Sequence, residues 1–292
     1  MQRIKKAFNF MGAKSTVLTC GQHQLSLDIP RIMGIINLTP DSFYAGSRCS
    51  GAYNALQRVE QMLKDGVDIV DIGAYSTRPG AAEISVQEEK DRLTLIFKEI
   101  THNFPELMLS LDTFRSDVVK YLYEHYGAFI VNDVTAGNAD KQMMPFAASA
   151  NLPYIAMHMR GTPQTMQQLT DYHDVLEEVI TYLHEKLMEA QAIGIQQVII
   201  DPGFGFAKTI AQNYLLFNRL KDFKILKAPL LVGISRKAMI YKLLSITPDE
   251  ALSATSALHL QALINGASIL RVHDVAAAVQ MVKLYRCLRG EF

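Results

Sequence analysis

Eight times along the chain a short apolar run of strand length ends abruptly in polar or turn-forming residues. The runs are residues 32–37, 67–72, 107–112, 128–131, 153–157, 198–201, 230–234 and 268–272. The first shows the pattern: Ile32-Met33-Gly34-Ile35-Ile36 breaks into Asn37, Thr39, Pro40, Asp41 and Ser42. Near-continuous apolar runs of this kind read as strands covered on both faces, the signature of a parallel sheet crossed over by helices. Their starts lie about 20 to 45 residues apart, bracketing the ~30 residues of a strand–helix–strand unit.

Helical patterns occupy residues 52–64, 86–101, 116–126, 141–150, 175–192, 210–220, 248–264 and 275–288. The fifth displays its ends: Asp171 to Asp174 lead in, Leu176, Val179, Ile180, Leu183 and Leu187 form the apolar stripe, and Gly194 follows. Eight strands, each followed by a helix, predict an α/β fold of the (β/α)8 TIM-barrel type. Residues 17–29 read as a short N-terminal β-hairpin around Gly21-Gln22 that closes the bottom of the barrel. A doubly wound open sheet is the competing architecture, but no GxGxxG follows the first strand. Residues 1–16 read as a lead-in and 17–292 as a single domain.

Composition narrows the chemistry. Lys+Arg and Asp+Glu number 29 each, so the formal charge is zero and a polyanion-binding surface is not expected. Basic residues should act locally, on a small anionic ligand. Cys20, Cys49 and Cys287 are dispersed and odd in number, with neither metal-ligand nor disulfide spacing, which points to a reducing compartment. No run approaches the ~20 apolar residues of a membrane span, and the basic start MQRIKKAFNF lacks an apolar signal core. The expectation is a cytoplasmic protein acting on small molecules, with neither nucleic acid nor membrane as partner.

The strand ends carry Asn37, Asp71, Asp112, Asn132-Asp133, His158, Asp201, Ser235-Arg236-Lys237 and Arg271-His273-Asp274. In a barrel these converge on one mouth. Asp112, Asn132, Asp201 and Lys237 together offer acceptors, a two-way amide and a cation, a set suited to a pterin or purine edge. Singly, a strand-end Asp is equally a helix cap or turn residue. Ser76-Thr77-Arg78-Pro79-Gly80 adds anion chemistry, and Ser235-Arg236-Lys237 opens the seventh helical segment, where backbone N–H groups favour an anion. Arg271 and His273, at alternate positions, point the same way; the competing reading for Arg271 is a structural ion pair with Asp274 or Asp28. The glycines of Asp201-Pro-Gly-Phe-Gly-Phe-Ala-Lys-Thr read as bringing backbone close to a ligand and orienting Phe206 into a pocket. Met157-His158-Met159 lacks a second spaced His, so a thioether against a flat ring is expected there.

These motifs together resemble the dihydropteroate synthases over roughly residues 33–274. The matching stretches are MGIINLTPDSF (33–43), DIGAYSTRPGA (71–81), LDTFRSDV (111–118), VNDVTAG (131–137), MHMRGTPQTMQ (157–167), IDPGFGFAKT (200–209), GISRKAMI (233–240) and ILRVHDV (269–275). The resemblance implies a usually dimeric TIM barrel that joins p-aminobenzoate to 6-hydroxymethyl-7,8-dihydropterin diphosphate, with sulfonamides as inhibitors. It implies Mg2+ as cofactor, held by Asn37, and Thr77 and Arg78 near the diphosphate. Asp112, Asn132, Asp201 and Lys237 match the pterin-holding set, with Met157 against the ring. Arg271 and His273 match the diphosphate pair, Arg271 also flanking the pterin. Phe43, Pro79, Phe206, Ser235 and Arg236 match the wall of the p-aminobenzoate pocket. Asp112, Asp201, Lys237, Arg271 and His273 are the residues expected to carry catalysis. Tyr75, Ala45 and Ala207 depart from the family's usual acidic residue, Asp and Gly. The rival readings are a methyltetrahydrofolate-binding methyltransferase of the same superfamily and a non-catalytic pterin-binding paralogue.

Overall fold

A computed structural model describes residues 17–38, 48–75, 83–162 and 164–292, with backbone alone for 48–52. A two-stranded antiparallel hairpin, β1 (Val17–Cys20) and β2 (His23–Ser26), turns at Gly21-Gln22. Then β3 (Arg31–Asn37) begins an alternation. It continues through α1 (Arg48–Asp65), β4 (Ile69–Gly73), α2 (Val86–Asn103), β5 (Met108–Asp112), α3 (Ser116–Tyr126), β6 (Ile130–Asp133) and α4 (Met143–Ser149). The second half runs β7 (Tyr154–Met157), α5 (Val175–Ile193), β8 (Val198–Asp201), α6 (Ile210–Asn218), β9 (Leu231–Val232), α7 (Ala238–Leu244), α8 (Leu252–Ile264), β10 (Ile269–Val272) and α9 (Val275–Leu288).

The strands from β3 onward pair in parallel in the order β8-β7-β6-β5-β4-β3-β10-β9. The ring closes where Ile200 bridges Leu230, the Ile200 N–H donating to the Pro229 carbonyl at 2.9 Å. The expected TIM barrel is therefore the observed fold. Its helices start where the sequence supplies caps. Asp174 accepts from the Leu176 and Glu177 N–H groups at the start of α5, which ends on left-handed Gly194. Ser85 caps α2, and Thr209 with Gln212 forms a capping box on α6. The helical segment that Ser235-Arg236-Lys237 opens is a separate short helix, Ala238–Leu244, and a 3-10 turn, Asp249–Ala251, precedes α8. The predicted start of 248 merged that turn with the helix.

Alternate strand residues face opposite ways, and the packing divides accordingly. Outward residues such as Ile32, Ile36, Val70, Ile72, Leu109 and Leu111 join the helices in the main core. A second apolar cluster takes one inward residue from each barrel strand: Met33, Ile69, Met108, Ile130, Ile155, Ile199, Leu231 and Ile269. Leu18, Cys20 and Leu27 of the hairpin segment pack beneath it. Gln197, just before β8, clamps the hairpin by accepting from the Thr19 N–H and donating to the Thr19 carbonyl. The hairpin is thus a plug under an apolar floor, as its position in the sequence suggested. Leu18→Ala, which opens a void at this floor, should lower unfolding free energy by about 2–5 kcal/mol in urea titration. Gln22→Ala in the exposed turn should stay within about 0.5 kcal/mol of the parent; equal effects would remove the plug's role.

Candidate active site

Two residues up from the apolar floor, the same alternation brings Asp71, Ser110, Asn132, Met157, Asp201 and Arg271 onto the inner face. Further towards the strand ends come Asp112, Ser235 and His273. The interior therefore changes from apolar to ionic within one side-chain layer. Asp71 is fully buried, and Asn132 and Asp201 are buried beside it.

Arg271 organises this layer. Its Nε donates to Asp71 Oδ2 at 2.6 Å and its Nη2 to Asp112 Oδ2 at 2.6 Å. Asn132 Nδ2 donates to the same Asp71 oxygen at 3.1 Å. The competing ion pair with Asp274 or Asp28 is not what forms: Asp274 is engaged twice by Arg236, at 2.9 and 2.8 Å. Asp28 instead accepts from Ser26. Burial pushes the Asp112 carboxyl up to about 7, against the pull of Arg271 and with repulsion from Asp71, Glu89 and Asp133. Arg271 is held above the usual guanidinium range by Asp71 and Asp112, which outweigh its burial.

Asp201 and Lys237 face one another electrostatically. Burial raises Asp201 and Lys237 lowers it; burial lowers Lys237 to about 8, and Asp201 opposes that fall. The Lys237 ammonium donates to the Phe204 carbonyl and sits 4.7 Å from the centre of the Phe206 ring. Ser235 is buried, its hydroxyl accepting from the His273 backbone N–H at 3.2 Å and lying 3.0 Å from His273 Nδ1. Burial, with the Arg271 charge, depresses His273 to about 4, so this imidazole is neutral at pH 7. Arg236 takes a left-handed φ of 53° and spends its guanidinium on Asp274 and Asp249.

The glycine-rich loop after β8 departs from expectation. Gly203 has φ 68°, and a Cβ there would lie 2.0 Å from the His158 carbonyl oxygen. Its close approach is to the end of β7, where a ligand was expected. Behind the loop, Lys208 is buried with three acceptors: His158 Nδ1 at 2.9 Å and the Gly203 and Phe206 carbonyls at 3.0 Å each. Three donors meet three acceptors, so the loop is tied down from inside. His158, pushed down to about 2 by burial and the Lys208 charge, is this anchor's neutral partner. Ala207 takes φ 50° with its methyl group buried against Met157, Met159 and Met166, while Phe114 and Phe206 pack on the same apolar wall. Tyr75 lies edge-on to Phe114 at 4.9 Å, with Arg115 near both rings.

The structure thus gathers Asp112, Asn132, Met157, Asp201, Phe206, Ser235, Arg236, Lys237, Arg271 and His273 around the mouth. Asn37 ends β3 exposed. Phe43, Thr77, Arg78 and Pro79 lie outside the described residues, as does Ala45. Among the described residues no group of three or more His, Cys, Asp or Glu is arranged to hold a metal ion. Two residues near the site were not in the expected ligand set. Asp71 was visible as a strand-end acid, and Lys208 lay within a matched motif, but neither has a sequence neighbour that betrays its buried partners. Asp133 separates from Asn132 by facing outward: Thr135, Gly137 and the Tyr154 hydroxyl saturate it.

Residues 33–273 match the family described as pterin binding enzyme. Dihydropteroate synthase of Escherichia coli (strain K12) is 40% identical over 262 residues, covering 89% of this chain and 92% of that one. The fold superposes on Yersinia pestis dihydropteroate synthase in complex with a sulfonamide drug at TM-score 0.87, with 36% identity, covering 94% of this chain and 99% of that one. Xanthomonas albilineans dihydropteroate synthase with 4-aminobenzoic acid gives TM-score 0.87, with 36% identity, over 95% of this chain and 99% of that one.

The β7–β8 contact yields a paired test. Gly203→Ala should destabilise the fold by about 3 kcal/mol or more, since backbone must move to admit the methyl group. Gly194→Ala, also at positive φ but with nothing within 4 Å of the added Cβ, should lose only about 1–2 kcal/mol. Urea midpoints of the two variants decide it; equal losses would mean that Gly203 matters for its φ alone.

Proposed function

The chain belongs to the pterin-binding enzyme family, and from that premise we propose that it joins p-aminobenzoate to 6-hydroxymethyl-7,8-dihydropterin diphosphate. The products are 7,8-dihydropteroate and diphosphate, a step of folate synthesis that sulfonamides inhibit. The observation that carries this reading is Arg271 braced by Asp71 and Asp112, with Asn132, Asp201 and Lys237 around the same cavity mouth. These groups pair carboxylates and an amide with a cation, as the N–H donors and carbonyl of a pterin require. Met157 and the face of Arg271 would flank the ring. Phe206, Ser235 and Arg236 would border the p-aminobenzoate, with Phe43 and Pro79 completing that wall.

The bond between the pterin's methylene carbon and the diphosphate oxygen breaks, and the oxygen keeps the electron pair. The positive charge left on the methylene carbon spreads into the pterin, where Asp112 and Asp201 would stabilise it. The amine nitrogen of p-aminobenzoate then bonds to that carbon and releases a proton. Arg271, His273, Thr77 and Arg78 would hold the departing diphosphate. Bound magnesium, with Asn37 among its ligands, would neutralise charge on the diphosphate as it leaves. A lone neutral amide fits an ion held largely by phosphate oxygens and water. His273, neutral with Nδ1 against Ser235, would donate through Nε2.

We further propose that residues 17–292 act as one domain after the 1–16 lead-in, as a homodimer in the cytoplasm. Among the described residues no helix is long and apolar enough to cross a membrane. Exposed Leu284 and Leu288, one turn apart on α9, offer apolar surface consistent with self-association.

Purified protein with magnesium, the dihydropterin diphosphate and p-aminobenzoate should yield dihydropteroate detectable by mass spectrometry. Substrates recovered unchanged would overturn the reading, and methyl transfer from a methylated folate would favour the methyltransferase alternative. Asp112 must be ionised to stabilise a cation, and Lys237 protonated to hold a carbonyl. With those groups near 7 and 8, kcat/KM should fall below pH about 7 and again above about 8. Asp112→Asn should remove the Asp112 contribution to the acid limb, leaving only that of Asp201, and remove ~2–4 kcal/mol of transition-state stabilisation. A variant with parental kcat would dismiss that role.

A further inference from the structure

Asp71 does not reach the mouth, yet two residues of the proposed pterin site depend on one of its oxygens. Oδ2 accepts from Arg271 Nε at 2.6 Å and from Asn132 Nδ2 at 3.1 Å. Oδ1 is buried with no hydrogen-bond partner, as is the hydroxyl of Ser110, its register neighbour on β5. A buried carboxylate with an unsatisfied oxygen is unfavourable by itself. Filling space would be better done by an apolar residue, as in the layer below. The carboxylate's geometry instead fits a bracing task. A guanidinium held at Nε cannot rotate about its own axis, so Nη2 is aimed at Asp112 and Nη1 is left without a partner among the described residues. Asn132, held by Nδ2, is likewise fixed in the flip that turns its carbonyl oxygen elsewhere.

We propose that Asp71 is a positioning residue that orients Arg271 and Asn132 from beneath and sets the charge balance felt by Asp112. This rests on the reading above, in which Arg271, Asn132 and Asp112 meet the pterin substrate. The charged groups acting on Asp112 are Arg271 from β10, Lys237 from the loop after β9, Asp71 from β4, Glu89 from α2 and Asp133 from β6. Removing Asp71's charge relieves one repulsion and leaves Arg271 to pair with Asp112 alone.

The test is Asp71→Asn, nearly isosteric, assayed beside the parent across pH. The expected result is a drop in kcat of at least about tenfold. The acid limb of kcat/KM for the dihydropterin diphosphate should move down by about one pH unit. A structural defect alone would lower activity without moving that limb, so an unmoved limb overturns the proposal, as does full activity. An inactive parent enzyme would instead condemn the functional reading, which keeps the two failures apart. If the variant does not fold, hydrogen exchange of the Arg271 Nε–H in the parent, followed by 15N NMR, carries the decision. Protection well beyond that of exposed Arg289 supports the brace, and exchange as fast as Arg289 overturns it.

Discussion

A guanidinium caught between two carboxylates inside a closed barrel is the interaction around which the interior is arranged. Charges moved out of water lose several kcal/mol of hydration each, and short, directed contacts are needed to recover it. Arg271 on β10 reaches past β3 to Asp71 on β4 and Asp112 on β5, inside the barrel. The closed ring of parallel strands brings residues 200 and 159 positions apart onto one inner face. Burial inside the barrel raises Asp112, the member closest to the strand ends; Arg271 opposes that rise and the repulsion of Asp71 adds to it. Fold and acid–base character are therefore set by the same triad.

The far side of the mouth is held by a different device. Where the β4 and β10 side relies on ion pairs, the β8 loop relies on a single ammonium with three acceptors and on a backbone contact that excludes any side chain at Gly203. Phe206 and the carbonyl that receives Lys237 belong to this anchored loop. The apolar wall of Met157, Met159, Met166 and Ala207 backs it.

Much of this was legible in the chain. Every barrel strand was anticipated, because residues buried on both faces leave an unbroken apolar run whatever their tertiary partners. The ends drifted by a residue or two: β9 kept only Leu231–Val232 of the predicted 230–234, since pairing and not hydropathy decides where a strand stops. The helix Ala238–Leu244 was anticipated only as a segment opened by Ser235-Arg236-Lys237, without bounds of its own, and the predicted helical pattern began at 248. Site residues were legible as a set but their pairings were not. Arg271 has Asp274 three positions away in sequence, yet period-two alternation turns Arg271 inward, while Asp274 lies past the strand end within reach of Arg236. Lys208 looked like an ordinary polar residue because its acceptors are backbone carbonyls and a histidine 50 positions away.

The plugged floor has a consequence for proton traffic. Among the described residues, the hairpin and eight apolar side chains close the lower end beneath Asp112, Asp201 and Lys237. A ligand seated over them would cover the opposite, open end. Proton exchange between those groups and solvent would then be slowest while a ligand is bound.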